Sequence, residues 1–212
     1  MSVPPSPHYT DVAARNLRRI ESLSDGVFSI AMTLLVLNLR VPAAALVRTE
    51  ADVGPALLRL LPDLGGYVLG FLSLGIFWVC QSTQFTYLER SDRRLAWWHV
   101  AFLLVVGLLP FSTAFLTMHL PLHGAVLVYW ANLLLPGLAL LGSYRYAQRQ
   151  GLLRPAEAAV SRALVRRLGL MQLQYAAAVA LCFVHVYAGV GLLLLVQLNY
   201  AVGLVASRWL GD

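Results

Sequence analysis

Residues 19–37 read Arg-Ile-Glu-Ser-Leu-Ser-Asp-Gly-Val-Phe-Ser-Ile-Ala-Met-Thr-Leu-Leu-Val-Leu, a charged start that gives way after Asp25 to an apolar run with no charge before Arg40. From about Ser22 to Leu39 the run approaches the ~20 residues needed to cross a hydrocarbon core of roughly 30 Å. Arg40 and Pro42 then stop it. An ionised aspartate costs about 2.5 to 3.5 kcal/mol at the centre of a span and less toward its ends, so Asp25 calls for a partner. Arg19 precedes it by six residues, a rotation of roughly 120° that argues against pairing within one helix. Trp78 and Gln81, on the next apolar stretch, are candidate donors. The alternative is that Asp25 caps the helix start together with Ser24 while Arg19 reaches lipid headgroups.

Similar stretches recur along the chain. Of 212 residues, 59% are hydrophobic and only 12% charged, about half the roughly 25% of a soluble domain. The pattern predicts an all-α membrane protein with six transmembrane helices, at about 22–39, 64–83, 95–118, 125–144, 168–186 and 190–207. Residues 1–18 form a tail and 19–212 one transmembrane domain. Pro110 and Pro136 fall inside spans, where neighbouring helices can satisfy the freed carbonyls. The polar segment Arg145 to Arg167 predicts a short interfacial helix. Gly189 and Gly191 predict a turn near His185 to Gly191, joining the last two spans.

Net charge is +6 and all 16 basic residues are arginine. They lie between apolar stretches rather than along one stripe, which argues for topology signals and against nucleic acid. With both termini cytoplasmic, 13 arginines lie inside and only Arg40, Arg48 and Arg59 outside, as the positive-inside rule requires. Met1 to Thr10 is Pro-rich and polar, unlike a cleaved signal peptide. Cys80 and Cys182 sit in spans as small hydrophobes, without disulfide or metal spacing. His119 and His123 are interrupted by Pro121 and lack an acidic neighbour, so they read as solvated turn residues rather than zinc ligands. His99 and His185 read as packing residues. No nucleophile or carboxylate pair completes a catalytic set, which argues against an enzyme and a cofactor.

Ile30, Leu34 and Leu37 follow i, i+4, i+7 spacing along one helical stripe, with Ser29 and Thr33 adding hydroxyls beside it. Spacing alone is satisfied by packing or lipid contact. The stretch resembles, however, the signature of the transmembrane protein 175 family of potassium-permeable channels, whose first helix carries Arg, three variable residues, Phe-Ser-Asp and an apolar helix. Arg19, Ser24 and Asp25 match and Leu23 replaces the aromatic residue. Gly26-Val27-Phe28, Thr33-Leu34-Leu35, Phe77-Trp78, Asp92-Arg93-Arg94 and Leu108-Leu109-Pro110-Phe111 extend the likeness over nearly the whole chain. Bacterial relatives often carry histidine soon after the tryptophan, where this chain has Gln81 and Ser82.

The resemblance implies a homotetramer in a bacterial plasma membrane, in contact with lipid, conducting monovalent cations. Four first helices would line the pore, with Ile30 as the narrowest apolar ring, then Leu34 and Leu37, and Thr33 offering a hydroxyl to a passing potassium ion. Arg19, Ser24, Asp25, Trp78 and Gln81 would hold the helix. No Thr-Val-Gly-Tyr-Gly filter exists; the near case is Gly65-Gly66-Tyr67. Selectivity by dewetting at apolar rings predicts only a moderate preference for potassium. A proton-coupled transporter using Arg19 and Asp25 is the first rival, weakened by few intramembrane charges and no internal repeat. A membrane protein with a purely structural role is another.

Overall fold

The computed structural model describes the backbone of residues 9–154 and 158–209 and the side chains of 17–154 and 165–203. Among the described residues eight α-helices follow in order: α1 Tyr9–Leu34, α2 Glu50–Leu58, α3 Leu61–Tyr87, α4 Arg93–Val106, α5 Leu109–Met118, α6 His123–Arg149, α7 Ala158–Cys182 and α8 Val186–Trp209. Five segments of this set are long and apolar enough to cross a membrane: Leu17–Asn38, Leu61–Tyr87, Arg93–Met118, His123–Arg149 and Val186–Gly203. The chain is a multi-pass membrane protein. α7, at 25 residues, is long enough to span, but Arg166, Arg167, Gln172 and Gln174 lower its apolarity.

Several boundaries differ from the sequence reading. α1 is already helical from Tyr9, so Ser24 and Asp25 lie inside it and neither caps its start. The third span breaks into α4 and α5 at Gly107 and Leu108, which places Pro110 in the first turn of a new helix, where its missing N–H costs nothing. No separate interfacial helix fills the described part of Arg145 to Arg167: residues up to Arg149 extend α6 and those from Ala158 open α7. Between them Leu153 bridges to Leu88; residues 155–157 lie outside the described set. The turn between α7 and α8 falls at Phe183–His185, and Gly189 and Gly191 lie within α8.

The segment between α1 and α3, expected to be loop, holds α2. Its start is closed by a capping box in which Asp52 accepts from the N–H groups of Arg48 and Thr49 at 3.1 and 2.9 Å and from the Thr49 hydroxyl at 2.9 Å. These donors, the Thr49 hydroxyl foremost, hold the exposed Asp52 carboxyl below its usual range. A depressed acid stabilises the fold above its unfolded pKa and loses that contribution as pH falls through its folded pKa. We expect amide exchange in Val53–Leu57 to accelerate, relative to α3, as pH falls below about 4, and Asp52→Asn to remove that dependence. An unchanged pH profile in the variant would refute the cap.

Two glycines four apart, Gly66 and Gly70, let α3 approach α5 closely. A Cβ on Gly70 would lie 2.9 Å from both Leu35 Cδ2 and Thr113 Oγ1, and one on Gly66 would meet Thr117. This is the small-xxx-small rule of membrane helix packing. The core runs through Phe28, Leu35, Leu74, Phe77, Phe102 and Tyr129. A smaller cluster of Phe85, Leu88, Leu95, Ala147 and Leu152 sits beneath the arginine-rich end.

Buried hydroxyls and amides tie the helices together. Ser73 bonds the Tyr129 hydroxyl at 2.7 Å and accepts from Gln197 Nε2 at 2.7 Å, joining α3, α6 and α8. Asn132 donates to Ser112 and Gln84 to Ser143, each at 2.8 Å. Near the proline in α6, Gln172 of α7 donates to the Leu133 carbonyl at 3.1 Å, one residue past the Asn132 carbonyl that Pro136 frees. Each such bond contributes about 0.5 to 1.5 kcal/mol, so their main effect is to fix which faces meet.

Candidate functional site

α1 and the 3-10 turn Leu35–Asn38 that continues it divide into two faces. Ser24, Phe28, Ala31 and Leu35 are at most 2% exposed and pack into the bundle. Ile30, Leu34 and Leu37 are 62%, 44% and 71% exposed on the other side, with Thr33 exposed beside them. Arg19 precedes Ile30 by eleven residues, about three full turns, so it stands on the same side at the arginine-rich end. Leu23, half exposed, lies between them. The subunit's own fold therefore leaves one continuous strip of this helix bare. The exposed Thr33 hydroxyl donates to the Ile30 carbonyl at 2.8 Å, which leaves its oxygen able to accept.

The helix is held from its other side. Trp78 Nε1 donates to Asp25 Oδ1 at 2.9 Å, joining α3 to α1. This supplies the partner that the aspartate required, and from the expected helix. Ser24 turns inward and donates to the Ile20 carbonyl at 2.9 Å. Gln81 does not reach Asp25: its Nε2 lies 3.2 Å from His99 Nδ1 on α4. His99 also packs against Phe85 with ring centroids 4.8 Å apart. Arg19 is exposed and is not the partner of Asp25. At the far end the Asn38 amide donates to the Pro110 carbonyl at 3.3 Å, anchoring the 3-10 turn to the break between α4 and α5. Neither the Asn38 contact nor the His99 contact has a motif that would have revealed it in the sequence.

The structure disposes of the near match to a carbonyl filter. Gly65, Gly66 and Tyr67 lie in the α-helix α3, where each carbonyl accepts an intrahelical bond, and Gly66 faces Thr117. His119 and His123 do not converge. The first contacts the Phe115 carbonyl at 3.1 Å, and the second stacks on Phe183 at 5.0 Å. No group of three or more potential metal ligands occurs among the described residues.

A sequence profile described as the endosomal/lysosomal potassium channel TMEM175 matches residues 19–110. That region contains most of α1, its Trp78 anchor and the Pro110 break. A potassium channel of Streptomyces collinus is 36% identical over 172 residues, covering 78% of this chain and 82% of that protein.

The chain belongs to the TMEM175 family.

A potassium channel of Chamaesiphon minutus is 39% identical over 102 residues, 48% of this chain and 50% of its own length. The crystal structure of a lysosomal potassium-selective channel TMEM175 homolog from Chamaesiphon minutus superposes with a TM-score of 0.75 at 27% identity, covering 89% of this chain and 97% of that one. TMEM175 relatives are ion channels, not enzymes.

The Trp78–Asp25 bond gives a direct test of how this TMEM175 chain holds α1. Trp78→Phe keeps an aromatic ring but removes the N–H, leaving a carboxylate in the span without its donor. Hydrogen bonds to charged groups contribute about 1.5 to 3 kcal/mol, so we expect a lower thermal unfolding midpoint in detergent. Asp25→Ala should lower the yield of assembled protein more than it alters ion preference. Normal assembly with altered selectivity would assign Asp25 to the ion path instead.

Proposed function

We propose that this protein is a potassium-permeable cation channel, a homotetramer whose four α1 helices surround the pore. Ile30 forms the narrowest ring, Leu34 and Leu37 widen the apolar passage, and the Thr33 hydroxyl faces the ion. Six helices per subunit cross the membrane, α4 and α5 together making the third and α7 the fifth, with both termini cytoplasmic. The observation that carries this reading is the bare strip on α1: its opposite face is committed to the bundle, and the family and relatives to which the chain is similar are potassium channels. The distribution of arginines supports the orientation.

The mechanism follows from the side chains available. A ring of isoleucines offers an ion nothing to replace its hydration shell, so passage requires the ion to carry or shed water through an apolar constriction. Potassium holds its water less tightly than sodium and incurs the smaller penalty. Asp25 and Trp78 take no part in this step and set the helix angle.

The test is chemical access. In liposomes loaded for potassium flux, Ile30→Cys treated with a water-soluble thiosulfonate should be blocked, whereas the wild-type protein should not, Cys182 being buried and Cys80 partly so. Continued flux after the introduced thiol has been modified, as shown by mass, would place that face in lipid and end the pore assignment. Saturating uptake that requires a proton gradient would mark a coupled transporter.

A further inference from the structure

At the arginine-rich end, the groove between α4 and α6 has the features of a binding site. The two helices are antiparallel and their register is set by two contacts. The Tyr146 hydroxyl donates to Asp92 Oδ2 at 2.6 Å, and the Trp98 indole lies across Gly142, where a Cβ would stand 2.7 Å from Cζ3. Arg94 lies one turn before Trp98 on α4, and Arg145 lies just under one turn after Gly142 on α6. In this register the two arginines stand at one level, and both are exposed.

Neither arginine has a hydrogen-bond or ion-pair partner among the described residues. Asp92, two residues before Arg94, accepts instead from the Leu95 N–H and the Tyr146 hydroxyl. Among the described residues both permanent charges are thus left without a hydrogen-bonded or ion-paired partner. Below it, Trp98 is 39% exposed and Leu138, one turn from Gly142, is 50% exposed. Arginines above, an indole at the boundary and an apolar wall beneath match the three zones of a phospholipid.

We propose that Arg94 and Arg145 bind the phosphate of an anionic phospholipid, with Trp98 at the glycerol level and an acyl chain along Leu138. Gly142 is required because any side chain there displaces the indole from the groove. The forked guanidinium geometry suits bidentate contact with phosphate oxygens. The site depends on membrane embedding and not on ion conduction, so its test stands apart from that of the pore.

The experiment uses the full chain in phosphatidylcholine nanodiscs doped with brominated phosphatidylglycerol or brominated phosphatidylcholine, reading quenching of tryptophan fluorescence. The wild-type protein should prefer phosphatidylglycerol, and Trp98→Phe should remove most of the preferential quenching. Arg94→Gln with Arg145→Gln should lower the preference by roughly five- to thirty-fold. The double lysine variant, which keeps the charge and loses the fork, should fall between the two. Both arginines are exposed, so circular dichroism should show unchanged helix content. Equal quenching by both lipids in the wild type, meaning a non-selective lipid annulus, overturns the proposal. So does a preference that survives in the double glutamine variant, or displacement by inorganic phosphate without any response to phosphatidylglycerol.

Discussion

Ile30→Asn should raise sodium permeation by roughly tenfold, equivalent to about 1.4 kcal/mol off the barrier, while potassium flux persists. Ile30 is 62% exposed in the subunit and lies outside the core that an amide would disturb, so the substitution should cost the fold little. In the proposed tetramer its effect falls on the ring that four copies would make. An apolar ring disfavours water in the constriction and so penalises the ion with the more tightly held shell. Four amides supply donors and acceptors that stabilise water there and reduce that difference. Leu34→Asn should produce the same change more weakly, since Leu34 is the less exposed of the two at 44%. The measurement is the ratio of sodium to potassium flux in liposomes. A folded, assembled variant with the wild-type ratio would remove Ile30 from the constriction.

Gly189→Ala should be the most damaging glycine-to-alanine change among the described residues, and Gly191→Ala, two residues on, should be tolerated. A Cβ at 189 would stand 2.6 Å from the Cys182 backbone nitrogen and 2.8 Å from the Ala178 carbonyl oxygen. Backbone atoms cannot rotate aside, so the α7–α8 hairpin must open, an overpacking cost of about 1 to 3 kcal/mol. At Gly191 nothing lies within 4 Å of the added carbon. Alanine there gains up to about 1 kcal/mol of helix propensity. Unfolding midpoints in detergent should therefore move in opposite directions. A Gly189→Ala protein as stable as the wild type would mean that the hairpin is looser than these distances imply.

These glycines also show why part of the fold was hidden. In an apolar run a glycine signals a turn, a close helix contact or nothing, and the three are indistinguishable without the neighbouring helix. Gly66 and Gly70 carried a recognisable spacing, four apart, that a search for close contacts would have found. Gln81 shows the same ambiguity among polar residues: a donor inside a span must find an acceptor, but Asp25 and His99 both satisfy that rule and only the rotation of α3 chooses between them. That Asp25 needs a donor from α3 was legible from the cost of its charge, but the choice of Trp78 over Gln81 came from the structure.

Hydrophobic length and the cost of an unpaired charge are local properties, so the order of amino acids alone established that the chain is helical, that it lies in a membrane, where its charges gather and that Asp25 needs a donor. Which face of α1 is bare, where the third span breaks and which glycines touch a neighbour came from the folded arrangement of the helices. Lipid is as apolar as a protein core, so in a span the pattern of hydrophobic residues does not distinguish inside from outside; that distinction comes from helix rotation, which packing alone sets.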